Sequence, residues 1–466
     1  MIRRLESDPN LMGITHVIVD EVHERTLDSD FLLYMLRNLV RSGENPNLHI
    51  ILMSATIEAE KFSAFFAKSA TDVVPCLIVP GKTFPVESKF LEDILTDTGY
   101  MLPKPTAQKD ASADERWDDY LLEDFSSESI EYLENEVKGK HSDEVYAAIA
   151  SMDHKQIDFN LILCLVKHIH LTEPSQSNSG DQDLKSILIF LPGLGEIKKL
   201  ESLLFNETLL MGNKNTLKWE ILLLHGSMTT KEQSLVFRTC KRGTRKVIVS
   251  TNVAETGITI PDVVYVIDAM RAREIMYNEK RDIKRLVDVI IAKANKKQRS
   301  GRAGRVREGI SYHLISERAF LRLPDHRPPE MLRLPLEEMC LRARLIMSQP
   351  IVDGNDDFQL ASLESIFASM PDPPPPRNVE KAVLLLKLIG AIDSGEYLTP
   401  LGRFLAKVPV DVRIGKILLH GIIFRCLDPI LTICAIISLG INPLQPPGAQ
   451  ATAFTYKNIL QGDFLN

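Results

Sequence analysis

Four short runs of this sequence combine residue types that could do chemistry together. Asp20-Glu21-Val22-His23 directly follows the apolar, β-rich run His16–Val19. Adjacent carboxylates at the C-terminal end of a parallel strand stand where α/β sheets bind ligands. One can hold Mg²⁺ while the other activates water, although an Asp-Glu pair taken alone is more often a solvated turn. Ser54-Ala55-Thr56 follows the next apolar run. Its hydroxyls could hydrogen-bond across a cleft, or cap a helix starting at Glu58. Gln298-Arg299-Ser300-Gly301-Arg302-Ala303-Gly304-Arg305 spaces its arginines three apart with small residues between. Guanidiniums so placed can reach phosphates; the alternative is a solvated basic helix, and each glycine would weaken that by about 1 kcal/mol. Ser250-Thr251-Asn252-Val253-Ala254-Glu255-Thr256-Gly257 again follows a strand-like run. Its hydroxyl and amide groups suit phosphate contacts or, equally, a capped helix start.

These runs need a scaffold that sets them at strand ends. His16–Val19, His49–Met53 and Cys76–Val79 are apolar runs, and Phe31, Leu32, Met35, Leu36 and Leu39 share a helical face between the first two. Such alternation indicates a parallel α/β sheet. The rhythm resumes with strands expected at Ser186–Leu191, Glu220–Leu224, Lys246–Ser250, Val263–Ile267 and Ser311–Ile315, and helices at Leu194–Leu204 and Lys231–Cys240. Beyond Arg318 helical patterns dominate, interrupted by Pro371-Asp372-Pro373-Pro374-Pro375-Pro376, a rigid linker or turn.

At 466 residues the chain should hold about three domains. With 44% hydrophobic and 25% charged residues it is an ordinary globular composition, which excludes collagen, coiled coil and full disorder. Its net charge of −7 argues against a nucleic-acid binder if read alone. Residues 92–145, however, hold 16 acidic and five basic residues, leaving 46 acidic and 50 basic elsewhere, a balance of +4. The acidic stretch reads as an insertion, partly disordered and partly helical. The six cysteines form no C-x-x-C pair and fit buried free thiols in a reducing compartment. The apolar stretch Ile414–Ile441 is broken by charges and Pro429, too short for a membrane span, and reads as a buried helix.

Taken together, Asp20–His23, Ser54–Thr56, Phe190-Leu191-Pro192-Gly193, Ser250–Thr259 and Gln298–Arg305 stand in the order and spacing of motifs II to VI of DEAH/RHA-type superfamily 2 RNA helicases. His23-Glu24-Arg25, Ile260-Pro261-Asp262, Leu334-Pro335-Leu336-Glu337-Glu338 and Leu398-Thr399-Pro400-Leu401-Gly402 extend the resemblance over nearly the whole chain except the acidic segment. The Asp-Glu-Val-His spelling and the insertion resemble the subgroup that includes the translation-initiation scanning helicase. The resemblance implies ATP and Mg²⁺ as cofactors, with Asp20 and Glu21 at the metal and Glu21 activating water. It implies that His23 links the nucleotide to the second domain and that Ser54 and Thr56 couple hydrolysis to movement. Gln298 would face the γ-phosphate, Arg302 and Arg305 would act as arginine fingers, and Gly257 would complete the nucleotide-side loop. Thr251, Asn252 and Thr259 would touch single-stranded RNA in the inter-domain channel. Glu274–Ile291 resembles the family's β-hairpin, although Asp268-Ala269-Met270-Arg271 replaces a more usual Asp-Thr-Gly-Arg run and puts the local loop geometry in question.

The fold the resemblance implies is α/β. Two RecA-like parallel-sheet domains, the first incomplete (1–91) and the second at 156–318, flank the acidic insertion at 92–155. A winged-helix domain (319–408) and the start of a ratchet-like domain (409–466) follow. It further implies an ATP-dependent RNA helicase that is cytoplasmic, with a nuclear location as the alternative, touches no membrane and has the small ribosomal subunit as a candidate partner. A P-loop, G-x-x-x-x-G-K-[ST], is not found: Gly81-Lys82-Thr83 has Cys76 where the first glycine belongs. The family's P-loop lies upstream of the first motif, so the chain reads as a fragment cut at both ends and inactive by itself. The alternative is a non-catalytic RNA- or ribosome-associated scaffold.

Overall fold

The computed structural model describes residues 1–55, 59–69, 72, 74–79, 81, 84–101, 141–150, 152, 156–172, 185–212, 218–238, 243–256, 258–278, 283–347 and 361–439. The chain divides into two compact units. The first comprises Met1–Leu77, Met276–Arg285 and Pro328–Asn466, and the second Ile78–Ile275 and Leu286–Arg327.

The second unit is built on a six-stranded parallel sheet. Its strands are β3 (Val86–Lys89), β4 (Ser186–Phe190), β5 (Trp219–Leu224), β6 (Arg245–Ser250), β7 (Val263–Asp268) and β10 (Gly309–His313), in the order β3-β10-β7-β4-β6-β5. β4 and β6 are buried at every position, as central strands covered on both faces are, with Arg245, Lys246 and Ser250 as buried polar ends of β6. One face packs Ile187, Ile189, Val247 and Val249 against Leu161, Leu165 and Val166 of the helix Phe159–Thr172 and Ile197 and Leu200 of the helix Leu194–Gly212. The other face buries Leu188, Phe190, Ile248, Val266 and Ala303.

The expected strands form here, with β10 beginning and ending two residues earlier than its apolar run suggests. Helix Lys231–Cys240 is shorter than expected. It is α-helical over Thr230–Gln233 and 3-10 over Ser234–Phe237, and Thr239 and Cys240 lie outside the described residues. Strands β8 (Arg271–Asn278) and β9 (Ile283–Ile290) pair as the expected hairpin.

In the first unit β1 (His16–Val19) and β2 (His49–Leu52) pair in parallel. Val17 and Val19 point into a core with Leu33, Leu36 and Leu39, whereas Ile18 on the opposite face is 60% exposed. The helix Leu27–Ser42 starts where Thr26 Oγ1 accepts the Ser29 N–H at 3.2 Å, and stops at Gly43, whose φ is 71°. Its other apolar residues, Phe31 and Tyr34, enter a second core with Met331, Met339, Phe367 and Leu386. One helix therefore holds β1 on one side and the helices of residues 330–389 on the other.

Five expectations are corrected. Cys76–Val79 forms no strand, and Leu77, Ile78 and Val79 are 86%, 83% and 76% exposed. Pro75 and Pro80 flank it, and proline cannot donate to a ladder. The strand forms instead at Val86–Lys89, paired to β10, so the break between units falls at Leu77/Ile78, where the sequence had run its first domain to 91. The acidic segment is helical at its ends, as read, but those ends are part of the second unit and not of a separate insertion: Ile94, Leu95 and Ile149, from the helices Leu91–Thr98 and Asp143–Ala150, belong to its core. Residues 102–140 lie outside the described residues. The described part of the apolar stretch, 414–438, is mostly exposed and not a buried helix. It makes two helices, Val412–Ile423 and Leu427–Leu439, that turn at Arg425 (φ 57°) and leave Ile422, Ile423 and Phe424 exposed. The expectation of buried thiols holds at Cys340 and Cys434 but fails at Cys76 and Cys426, which are exposed, while Cys164 is intermediate. Among the described residues no helix is long and apolar enough to cross a membrane.

Candidate functional site

In the first unit the chain leaves β1 at Asp20 and turns sharply. Asp20 is exposed, and its Oδ1 accepts the Glu21 N–H at 2.8 Å. Glu21 sits at φ 54° and Arg25 at φ 52°, on either side of the 3-10 turn Val22–Glu24. Two non-glycine residues in the left-handed region bracket the turn, a conformation that L side chains seldom adopt. The Val22 N–H donates to Met53 O (3.1 Å), which ties the turn to the end of β2. The Ala55 N–H donates to His23 Nδ1 at 3.3 Å, and Glu21 Oε2 lies 3.4 Å from the same nitrogen. That nitrogen can accept from Ala55 or, when protonated, donate to Glu21, but not both. The structure therefore brings Asp20, Glu21, His23 and the Ser54-Ala55 loop together, with Ser54 exposed. Thr56 lies outside the described residues. Among the described residues no group of three or more His, Cys, Asp or Glu side chains converges on a metal position. The exposed Asp20 and the half-buried Glu21 fit Mg²⁺ of the kind held by one or two carboxylates and completed by phosphate and water.

In the second unit the run Thr251–Thr259 follows β6 at its C-terminal end. Thr251 is buried, and its N–H donates to Leu224 O at 3.2 Å, whereas Asn252 and Thr259 are exposed. Gly257 lies outside the described residues. The helix Lys293–Ser300 carries Gln298, half-buried, and Arg299. The three arginines have different surroundings. Arg299 is fully buried, donates to Glu255 Oε2 (2.9 Å) and Asp268 Oδ1 (2.7 Å), and stacks over Phe190. Arg302 donates to Ile258 O at 2.5 Å and to Glu255 O, which ties it to the Thr251–Thr259 loop. Arg305 is exposed. Gly304 is required by packing, since a Cβ there would meet Phe84 O at 2.6 Å and Val86 Cγ2 at 2.7 Å.

Burial works against the Arg299 charge, but Asp268 and Glu255 outweigh it and raise its pKa. Burial pushes the Asp268 carboxyl up, partly offset by Arg299. His313, at the end of β10, is also buried, and its Nε2 lies 3.3 Å from Ser300 Oγ. Burial, then the charges of Lys296 and Arg299, hold its imidazole well below the usual histidine range.

A helicase conserved C-terminal domain matches residues 176–307. A helicase-associated winged-helix domain matches 382–410, and a helicase-associated ratchet-like domain matches 411–465. The ATP-dependent RNA helicase DHX29 of Homo sapiens is 37% identical over 452 residues, covering 94% of this chain and 31% of the relative. The DExH-box ATP-dependent RNA helicase DExH1 of Arabidopsis thaliana is 37% identical over 467 residues, covering 99% and 44%. Over nearly its whole length the chain is thus similar to DEAH-box RNA helicases. It spans about a third to somewhat under half the length of these DEAH-box relatives. The fold is similar to that of the DEAH/RHA helicase HrpB of Escherichia coli, with a TM-score of 0.64 and 24% identity over 96% of this chain and 44% of that one.

Two sets of residues around the DEAH-box motifs escaped the sequence reading. Glu255, Asp268 and Arg299 form one buried ion cluster. Arg25, Asp30 and Asp372 form another: Arg25 Nε donates to Asp30 Oδ1 (2.8 Å), Nη2 donates to Asp30 Oδ2 (3.0 Å), and Nη2 also pairs with Asp372. The available signal was a charged residue closing an apolar strand, at Asp268, and an arginine directly after the His23-Glu24 pair, at Arg25.

Proposed function

We propose that this chain carries the hydrolytic and RNA-gripping residues of an ATP-dependent RNA helicase, and that it works with ATP, Mg²⁺ and single-stranded RNA. The observation that carries the reading is the turn after β1. It presents Asp20 and Glu21 at a parallel-strand C-terminus and joins His23 to the Ser54-Ala55 loop through the Ala55 N–H, 3.3 Å from Nδ1. Asp20 would hold the metal. Glu21, at an exposed strand end, would take the proton of the attacking water. Arg305, free of the buried ion cluster, would meet negative charge developing on the transferring phosphoryl group. Arg302 would report the nucleotide's state to the Thr251–Thr259 loop, because its guanidinium donates to two carbonyls of that loop. The relatives' names as RNA helicases support RNA as the polymer.

The RNA half of this reading is tested by fluorescence anisotropy of a single-stranded oligoribonucleotide with the 466-residue chain. Replacing the exposed Asn252 and Thr259 together by alanine should weaken binding by roughly tenfold, about one hydrogen bond each to the RNA backbone. The melting temperature should stay put. Unchanged affinity in a folded double variant would refute the assignment.

A further inference from the structure

The turn that carries Glu21 and His23 is held from outside the strand that delivers it. Glu21 and Arg25 both adopt left-handed backbone angles, at φ 54° and 52°. Such residues persist where their surroundings over-determine them. Arg25 is 4% exposed, forks onto both oxygens of Asp30, and gives its Nη2 also to Asp372. Its guanidinium lies over the Phe62 ring at 5.7 Å. Asp372 is itself fixed by Lys61 Nζ, 2.6 Å from both carboxylate oxygens. It sits in Pro371-Asp372-Pro373-Pro374-Pro375-Pro376, where proline rings fix the backbone. A second tether runs parallel to the first. Glu330 donates its backbone N–H to Arg25 O (3.1 Å), and its Oε2 accepts the Leu27 N–H (3.0 Å).

We propose that Asp372 is a positioning residue: through Arg25 it locks the Asp20–His23 turn, so that the proline segment sets where Glu21 and His23 stand. The consequence for ATP hydrolysis rests on the function proposed above; the lock itself does not. Displacing the proline segment would remove the Asp372 partner of Arg25 Nη2, leave the fork on Asp30 as the remaining ion pair, and let φ at Arg25 relax toward the right-handed region. The turn would then move relative to the Ser54-Ala55 loop.

Hydrogen exchange read by mass spectrometry on the full chain tests this. Asp372→Asn should speed exchange of the Val22–Leu27 amides about tenfold and leave peptides of β4 and β6 unchanged. Asp372→Glu, which keeps the charge, should restore most of the protection. Lys61→Met, which removes the other partner of Asp372, should change those amides by less than threefold. Should Asp372→Asn unfold the first unit, Arg25→Lys, which keeps a cation but loses the fork, should speed the same amides. Wild-type exchange in either folded variant overturns the proposal, as does an equal effect from Lys61→Met. Exchange is read without nucleotide, so loss of the helicase reading would leave this result standing.

Discussion

Arg299, Arg302 and Arg305 look alike in the sequence, three cations at equal spacing, yet burial gives them three different jobs. Arg299 neutralises two buried carboxylates. Arg299→Ala would strand Glu255 and Asp268 without a counter-charge, which costs about 3–5 kcal/mol. Calorimetry should show the second unit melting far earlier or not folding. Arg305→Ala, on an exposed side chain, should leave stability within about 0.5 kcal/mol.

Met270 is a second residue-scale case. It stands where the family more usually has glycine, it is buried, and its φ is 58° with its N–H donating to Asp268 Oδ1 at 2.8 Å. Met270 thus holds a left-handed conformation that glycine would adopt without strain. Truncation to alanine keeps the strain and loses the packing, whereas glycine loses the packing but relieves the strain. Met270→Gly should therefore be more stable than Met270→Ala by about 1 kcal/mol, the reverse of the usual order, as chemical denaturation would measure.

At the scale of elements, the legible parts were those whose pattern has one reading. Ser186–Phe190 and Arg245–Ser250 carry continuous β-branched and apolar runs, and they became central strands. β3 (Val86-Glu87-Ser88-Lys89) has one apolar residue in four, as an edge strand can; a strand can be read after Phe84-Pro85, but nothing local says which sheet it joins. Its place is set by β10, far along the chain. Cys76–Val79 shows the converse, an apolar run with no partner strand. The ion clusters were illegible for a related reason: Arg25 and Asp372 meet only because the helix Leu27–Ser42 buries Phe31 and Tyr34 among residues that follow Met331.

The sheet of the second unit also carries a pH dependence. His313 at the end of β10 has its folded pKa held well below the ordinary value near 6.5. The unfolded chain takes up the proton first, so this contribution is full above about pH 6.5 and declines as pH falls, by at most about 1.4 kcal/mol per unit. Asp268, raised by burial, works with the opposite sign. The histidine term is therefore read as the difference between wild type and His313→Gln. Melting of the second unit between pH 7.5 and 5.5 should be shallower in that variant, and equal slopes would count against a neutral buried imidazole.

For the whole molecule, the acidic sum of −7 hides a mildly basic remainder, because residues 92–145 alone carry −11 and leave +4 elsewhere, and the ends of that segment fold onto the second unit. The motif residues that look scattered in the sequence collect at strand ends: Asp20–His23 with Ser54-Ala55 in one unit, and Thr251–Thr259 with Arg302 in the other. The central claim is that these are the working residues of an RNA-stimulated ATPase. Its most direct test joins a relative's P-loop-bearing segment ahead of Met1 and compares RNA-stimulated ATP turnover with and without Glu21→Gln. The account predicts that the variant keeps nucleotide binding but loses turnover by about 10²–10⁴-fold, the share a positioned general base supplies. Equal turnover in the two chimeras would contradict it.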